Sequence, residues 1–355
     1  MSREVSSSDR PVIVIWEVTQ RCMLACQHCR AEAQMHSHPD ELDHAQCEIL
    51  LDQVAEMQPR FFVLTGGDPA SRSDILEIIA GATRRGLRVG FSPSATPRLL
   101  RMNFDDLRMA GVRQMSLSID GATEESHDEF RGIYGTWNWT MAAYTAARRA
   151  RIPVQINTTF SRSNIDQFPE FVRLVQQLQP VAWSVFLLVP TGRADLDEML
   201  DADKTETLLE ALSKVPAQTG IPVKTTGAPH YRRVVMQSLA TLDTGRRLWR
   251  FAPTNDGRRC VFISHTGKVR PSGFLPIDCG NIRRESLDEI YAHSPVFRAL
   301  RDPDRLLGKC RRCEYRMICG GSRARAYAVT GDYLAEEPCC AYQPKGAPEV
   351  SILHA

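Results

Sequence analysis

The sequence predicts an α/β fold: a parallel sheet curved into an open or partial barrel, followed by a small cysteine-bearing region. Three observations carry that expectation. Short apolar runs alternate with longer segments of helical period from Pro11 to about Val189. The runs are strand-sized and rich in Val, Ile and Phe. Most of the 11 cysteines fall into two groups, one near each end of the chain.

The runs are VIVIW (Val12 to Trp16), FFVL (Phe61 to Leu64), LRVGF (Leu87 to Phe91), MSLSI (Met115 to Ile119), VQINTTF (Val154 to Phe160) and WSVFLLV (Trp183 to Val189). Between them, HAQCEILLDQVAEM and FPEFVRLVQQL place apolar residues at helical spacing. Six strand–helix repeats imply right-handed crossovers and suit a partial barrel better than an eight-fold one. Chemistry in such sheets sits at the C-terminal ends of the strands. The first cysteine group follows the first strand directly and falls at that end. A further helix is expected from Asp201 to about Gly220. Thr241 to Arg259 has no clear period and holds five arginines, as a mobile or substrate-facing connection would. VFISHTGKVRPS (Val261 to Ser272) reads as a hairpin turning at Thr266-Gly267. The expected division is a tail over 1–10, the barrel over 11–225, a connection over 226–259, the cysteine-bearing domain over 260–345 and a tail over 346–355.

Apolar content of 43%, charged content of 24% and a net charge of +2 are ordinary for a globular chain and give no electrostatic pointer to nucleic acid. MSREVSSSDR lacks the apolar core of a signal peptide, and no apolar run approaches the ~18 residues of a membrane span. A cytoplasmic protein with reduced thiols and no membrane partner is expected, and clustered cysteines there are metal-binding or catalytic.

The first group, Cys22-x3-Cys26-x2-Cys29, has three local thiols in a loop. Electron-transfer clusters are held by four thiolates. Three leave one iron of a four-iron four-sulfur cluster open for another ligand. The alternative is a structural zinc loop with a distant fourth ligand. Thr65-Gly66-Gly67-Asp68-Pro69 follows the second strand: glycine permits close backbone approach and a carboxylate can meet an ammonium. SLSIDG (Ser116 to Gly121) ends the fourth strand, and HDEFRG (His127 to Gly132) follows it.

This constellation resembles the radical S-adenosylmethionine superfamily. The resemblance implies a partial (β/α)6 TIM-like barrel and a cluster on Cys22, Cys26 and Cys29. Its open iron would chelate S-adenosylmethionine, whose reductive cleavage to a 5′-deoxyadenosyl radical would abstract hydrogen from a substrate. It also implies roles around S-adenosylmethionine: His28 near the adenine, Gly66, Gly67 and Asp68 at the amino group, Ser118 and Asp120 at the ribose or carboxylate, and Arg131 at the carboxylate. Asn157 and LVPTGR (Leu188 to Arg193) would close around the nucleoside.

Cys310-x2-Cys313-x5-Cys319, followed by Cys339 and Cys340, resembles the C-terminal iron–sulfur extension called SPASM or twitch. That resemblance implies one auxiliary four-iron four-sulfur cluster on Cys310, Cys313, Cys319 and one of Cys339 or Cys340, with Cys340 favoured. Ser272 and Ser322 stand where a second cluster's ligands would be. Cys260 and Cys279 are read as core or loop residues, or as remnants of a degenerate second site; Cys47 is read as core. A zinc ribbon is the alternative for the whole group.

WEVTQRCMLACQHCRAEA, GNIRRESLDEIY (Gly280 to Tyr291) and CGGSRARAYAVTGDY (Cys319 to Tyr333) resemble tetrapyrrole-modifying members, which oxidatively decarboxylate propionates or remodel heme side chains. Those enzymes carry a cysteine where this chain has Ser322. A small-molecule tetrapyrrole is therefore the expected substrate. Maturation of a ribosomal peptide is the alternative, although only about ten residues precede the first strand and leave no room for a leader-binding wing. A non-catalytic iron–sulfur or zinc protein is the alternative of another class. The basic stretch Phe297 to Arg325 is read as a solvated face, a dock for an acidic ferredoxin or flavodoxin, or a trap for an anionic substrate.

Overall fold

The computed structural model describes residues 10–240 and 254–345. Its strands are β1 (Ile13–Glu17), β2 (Phe61–Thr65), β3 (Val89–Phe91), β4 (Val112–Ser118), β5 (Val154–Phe160), β6 (Ala182–Leu187), β7 (Val223–Thr226), β8 (Cys260–Ile263), β9 (Lys268–Arg270) and β10 (Gly280–Asn281). They form one sheet in the order β10-β9-β8-β1-β2-β3-β4-β5-β6-β7. From β8 to β7 every neighbour is parallel, whereas β8–β9 and β9–β10 are antiparallel. The two ends of the order do not pair among the described residues, so the barrel is partial.

Two features extend the six-repeat expectation. VKTT forms β7 against β6, although it carries too few apolar residues to read as a strand. It lies at the edge of the sheet, where one flank needs no partner. The expected hairpin is present as β8 and β9, but β8 also pairs in parallel with β1. The cysteine-bearing region thus shares the barrel's sheet. The expected connection from Thr241 to Arg259 lies outside the described residues as far as residue 253.

Alternation along the strands separates core from lumen. Val14 and Trp16 of β1 are fully buried and register with Phe62 and Leu64 of β2, also fully buried. These side chains pack beneath the helices; each such burial stabilises by about 1.5–3 kcal/mol. The helix His44–Met57 covers this region with Cys47, Leu50, Leu51 and Val54, and a capping box of Asp43 and Gln46 starts it. The helix Ala202–Thr219 matches the expected one and begins at the Asp201 cap. On the opposite face, one register row runs Ser118, Asn157, Ser184, Lys224 across β4 to β7. Among the described residues no helix is long and apolar enough to cross a membrane.

Candidate functional site

The loop after β1 carries the first three cysteines and is pinned by backbone bonds. Cys22 N–H donates to the Gln34 carbonyl (2.8 Å), and Gln34 N–H donates to that of Gln20 (3.1 Å). The loop after β2 then crosses against it. Gly67 N–H donates to the Thr19 carbonyl (2.8 Å) and Asp68 N–H to that of Arg21 (2.7 Å). A Cβ on Gly67 would lie 2.5 Å from the Gln20 oxygen, so a larger residue would part the two loops. The loop after β6 closes the third side, where Arg193 N–H donates to the Cys29 carbonyl (3.0 Å). A Cβ on Gly192 would lie 2.5 Å from that same oxygen.

These loops enclose a cavity of about 210 Å³ at the C-terminal ends of the strands. Cys22, Cys26, Cys29, His28, Gly66, Gly67, Ser118, Arg131 and Asn157 all line it. The thiols meet donors suited to a thiolate: Leu24 N–H to Cys22 Sγ (3.4 Å), Ser94 Oγ beside Cys22 Sγ (3.6 Å) and Arg131 Nη1 to Cys26 Sγ (3.7 Å). Burial pushes the free Cys22 thiol up to about 11 and raises Cys26, so a bound cation would favour the thiolate there. Among the described residues no three His, Cys, Asp or Glu side chains are grouped as ligands of a single metal ion. Cys22, Cys26 and Cys29 all line the cavity wall.

Asp68 and Asp120 sit behind this wall. Asp68 is buried and caps the short turn Pro69–Ser71, its carboxylate accepting from Ala70 N–H, Ser94 N–H and the Thr96 hydroxyl (2.8 Å). Burial raises it to about 6 despite those bonds. Asp120 accepts from Thr159 N–H (2.6 Å) and forms an ion pair with Arg131 (2.5 Å), with His28 Nε2 at 3.9 Å. Burial raises its pKa, but Arg131, His28, the Thr159 N–H and His127 together outweigh that and hold it below the usual carboxylate range. Neither aspartate is among the residues that line the cavity, and both brace its wall through these bonds. His28 faces Phe130 at a ring separation of 4.4 Å, and Asn157 is held by Gln155 (2.6 Å).

Sequence reasoning missed a second layer. Glu17, at the end of β1, is buried between Arg30 (2.9 Å) and His265 (2.8 Å). Arg30 lies over Phe262 at 4.7 Å and approaches Phe274 at 5.9 Å. Phe274 lines the cavity with Phe186, Leu188 and Val189. The only sequence signal was an acid ending an apolar strand.

A second cavity is lined by Cys310, Cys313, Cys319 and Cys340 together with His230, Arg233 and Glu337. Cys340 faces it. Cys339 is directed away, its thiol donating to the Leu200 carbonyl (3.0 Å). Glu337 N–H (3.3 Å) and Arg323 Nη2 (3.8 Å) approach Cys310 Sγ, and Gly321 N–H approaches Cys319 Sγ (3.4 Å). Burial raises all four thiols. Cys260 and Cys279 line neither cavity; Cys279 donates to the Ile277 carbonyl. Ser322 caps the helix Arg323–Thr330, its hydroxyl accepting from Arg325 N–H (3.2 Å).

Arg323 and Arg325 are also fully buried, which corrects their inclusion in an exposed basic stretch. Arg325 forms an ion pair with Glu337 (3.0 Å) and donates to the Leu187 and Leu188 carbonyls at the end of β6. This pair joins the two cavities.

A partial barrel with three thiols at its strand ends, followed by a four-thiol cavity, defines an iron–sulfur enzyme of the radical class. Residues 16–175 match the Radical SAM superfamily model, and residues 255–314 match that of an iron–sulfur cluster-binding domain, SPASM. The chain is 40% identical over 341 residues to the AdoMet-dependent heme synthase of Nitratidesulfovibrio vulgaris, covering 94% of this chain and 93% of that one. It is 38% identical to the heme synthase of the same name from Methanosarcina barkeri, over 96% and 99% of the two chains. Streptococcus suis SuiB bound to S-adenosylmethionine has the same fold, with a TM-score of 0.72 at 15% identity over 94% and 78% of the chains. The chain belongs to the radical S-adenosylmethionine superfamily and carries a SPASM domain. It is a radical enzyme whose cofactors are a four-iron four-sulfur cluster, S-adenosylmethionine and auxiliary iron–sulfur.

Proposed function

We propose that this enzyme modifies the carboxylate side chains of a tetrapyrrole, by oxidative decarboxylation of propionates. The single observation that carries the reading is near-full-length similarity at about 40% identity to AdoMet-dependent heme synthases. When bound, the first cluster supplies the electron that cleaves S-adenosylmethionine. Cys22, Cys26 and Cys29 hold that cluster. Gly66, Gly67, Ser118, Arg131, Asn157 and His28 bind S-adenosylmethionine, while Asp68 and Asp120 orient the loops and Arg131. Cys310, Cys313, Cys319 and Cys340 hold one auxiliary cluster; Ser322, committed to a helix cap, has no part in another.

The chain's own residues suit a flat, acidic substrate. Phe186, Phe274, Leu188 and Val189 give one side of the cavity an apolar wall. Arg193 is exposed at the same cavity. Lys224, exposed on the edge strand β7, shares a register row with the cavity-lining Ser118 and Asn157. Arg193 beside that apolar wall can hold a propionate while the rings stack. Arg305, Arg311 and Arg312 are exposed near the auxiliary site and suit an acidic ferredoxin or flavodoxin as electron donor. The barrel over 11–225 and the cluster domain over 260–345 act in reduced cytoplasm.

Anaerobic reconstitution with iron-coproporphyrin, S-adenosylmethionine and a reductant tests the reading. The expected result is 5′-deoxyadenosine with a product lighter by carbon dioxide and two hydrogens per propionate. Formation of 5′-deoxyadenosine with the porphyrin mass unchanged, under conditions where a heme synthase relative converts it, overturns the substrate.

A further inference from the structure

The imidazole of His230 is fully buried, and neither Nδ1 nor Nε2 has a hydrogen-bond partner. A buried polar group left unmade costs about 1–3 kcal/mol, so two orphaned nitrogens on one ring call for a physical cause. His230 follows β7 and precedes the helix Tyr231–Ala240, with its backbone engaged in the turn: Tyr231 N–H donates to Ala228 and Arg233 N–H to His230. The ring is therefore held from the barrel side, at the wall of the cavity that Cys310, Cys313, Cys319 and Cys340 line.

The polar neighbours cannot satisfy it. Glu337 influences the ring electrostatically, but its Oε1 accepts from Arg325 and Cys339 N–H, and its Oε2 accepts from Ser322 N–H. Arg325 is spent on Glu337 and two carbonyls; Arg233 gives its Nη atoms to Glu206 and Gln237, and its Nε, a donor only, offers the ring N–H no acceptor. A ring N–H with no oxygen to meet, aimed into a thiol-lined cavity, has sulfur as its remaining acceptor.

We propose that His230 donates a hydrogen bond to the auxiliary cluster, to an inorganic sulfide or to a ligating thiolate, and so raises that cluster's reduction potential. This rests on the reading that the four thiols hold a cluster. Hydrogen bonds to cluster sulfur offset negative charge and favour the reduced state. His230 is a positioning residue here: it reaches the substrate chemistry only through the cluster.

The test is an EPR-monitored redox titration of the reconstituted, full-length enzyme without substrate, with iron counted on the same samples. His230→Phe removes the donor, and His230→Gln keeps an N–H at a similar reach on a flexible arm. The expected result is about eight irons per chain in all three proteins. The auxiliary couple falls in potential in His230→Phe, with partial restoration in His230→Gln and no shift of the first cluster. Pulsed EPR of the reduced wild type should also show weak coupling to an imidazole nitrogen, lost in His230→Phe. An unshifted auxiliary potential at full iron content overturns the hydrogen bond. Equal shifts or equal cluster loss in both variants overturn it too, in favour of a packing role. A wild-type protein with only about four irons fails differently, because it removes the auxiliary cluster itself.

Discussion

Two adjacent cysteines show how one residue's direction decides its role. Cys339 and Cys340 cannot be separated by spacing, but one thiol is tied to the Leu200 carbonyl and the other lines the four-thiol cavity. Cys340→Ser should lower reconstituted iron by about four per chain, while Cys339→Ser should leave it unchanged; iron analysis with cluster absorbance checks both. Asp68 carries a similar lesson. Its motif suggested contact with an ammonium, yet its carboxylate accepts from Ala70, Ser94 and Thr96. Asp68→Ala should cost roughly 2–4 kcal/mol in a urea titration, because several buried donors lose one acceptor. A loss under about 0.5 kcal/mol would place that carboxylate outside the scaffold.

Elements meet at the end of β6. The helix Arg323–Thr330 delivers Arg325 to the Leu187 and Leu188 carbonyls, and Glu337 neutralises it from the segment that leads to Cys340. Removing one partner of a buried pair leaves a charge without compensation. Arg325→Met should therefore destabilise by about 3–5 kcal/mol, and Arg325→Met with Glu337→Leu should recover part of that loss. Denaturant midpoints of the four proteins in a double-mutant cycle give the coupling. An additive cycle would mean that the pair does not tie the SPASM region to the barrel.

Across the whole molecule, buried titratable groups fix the response to acid. Burial lowers His127 and His230 from 6.5 to about 4, so each stays neutral in the fold and binds a proton on unfolding between those values. Their contribution is complete above pH 6.5 and is lost as pH falls toward 4, on the order of 3 kcal/mol each. Asp68 acts in the opposite sense: its folded pKa is raised from 3.8 to about 6, so it favours the fold at low pH and loses that contribution as pH rises. The net expectation is lower stability at pH 5 than at pH 7, with proton uptake on unfolding. Anaerobic guanidinium titrations at both values measure it, and His127→Phe should flatten the slope. Equal midpoints would contradict the burial of these imidazoles.

The sequence by itself determined the parallel α/β scaffold, because period and strand length are local. The helix bounds His44–Met57 and Phe168–Leu178 coincide with segments chosen on periodicity alone. It also determined the three-thiol loop, the Gly66-Gly67 crossing and the family, because spacing within one loop survives folding unchanged. Only the tertiary structure decided which side of a wall each residue takes. It set Asp68 and Asp120 behind the cavity, aligned Lys224 with Ser118 and Asn157, and joined β8 to β1. It also buried Arg325 with Glu337 and brought His230 to thiols 80 to 110 residues away in the chain. The physical reason is the same in each case. Burial, ion pairing and strand register depend on groups distant in sequence, and no local pattern encodes which of them will meet.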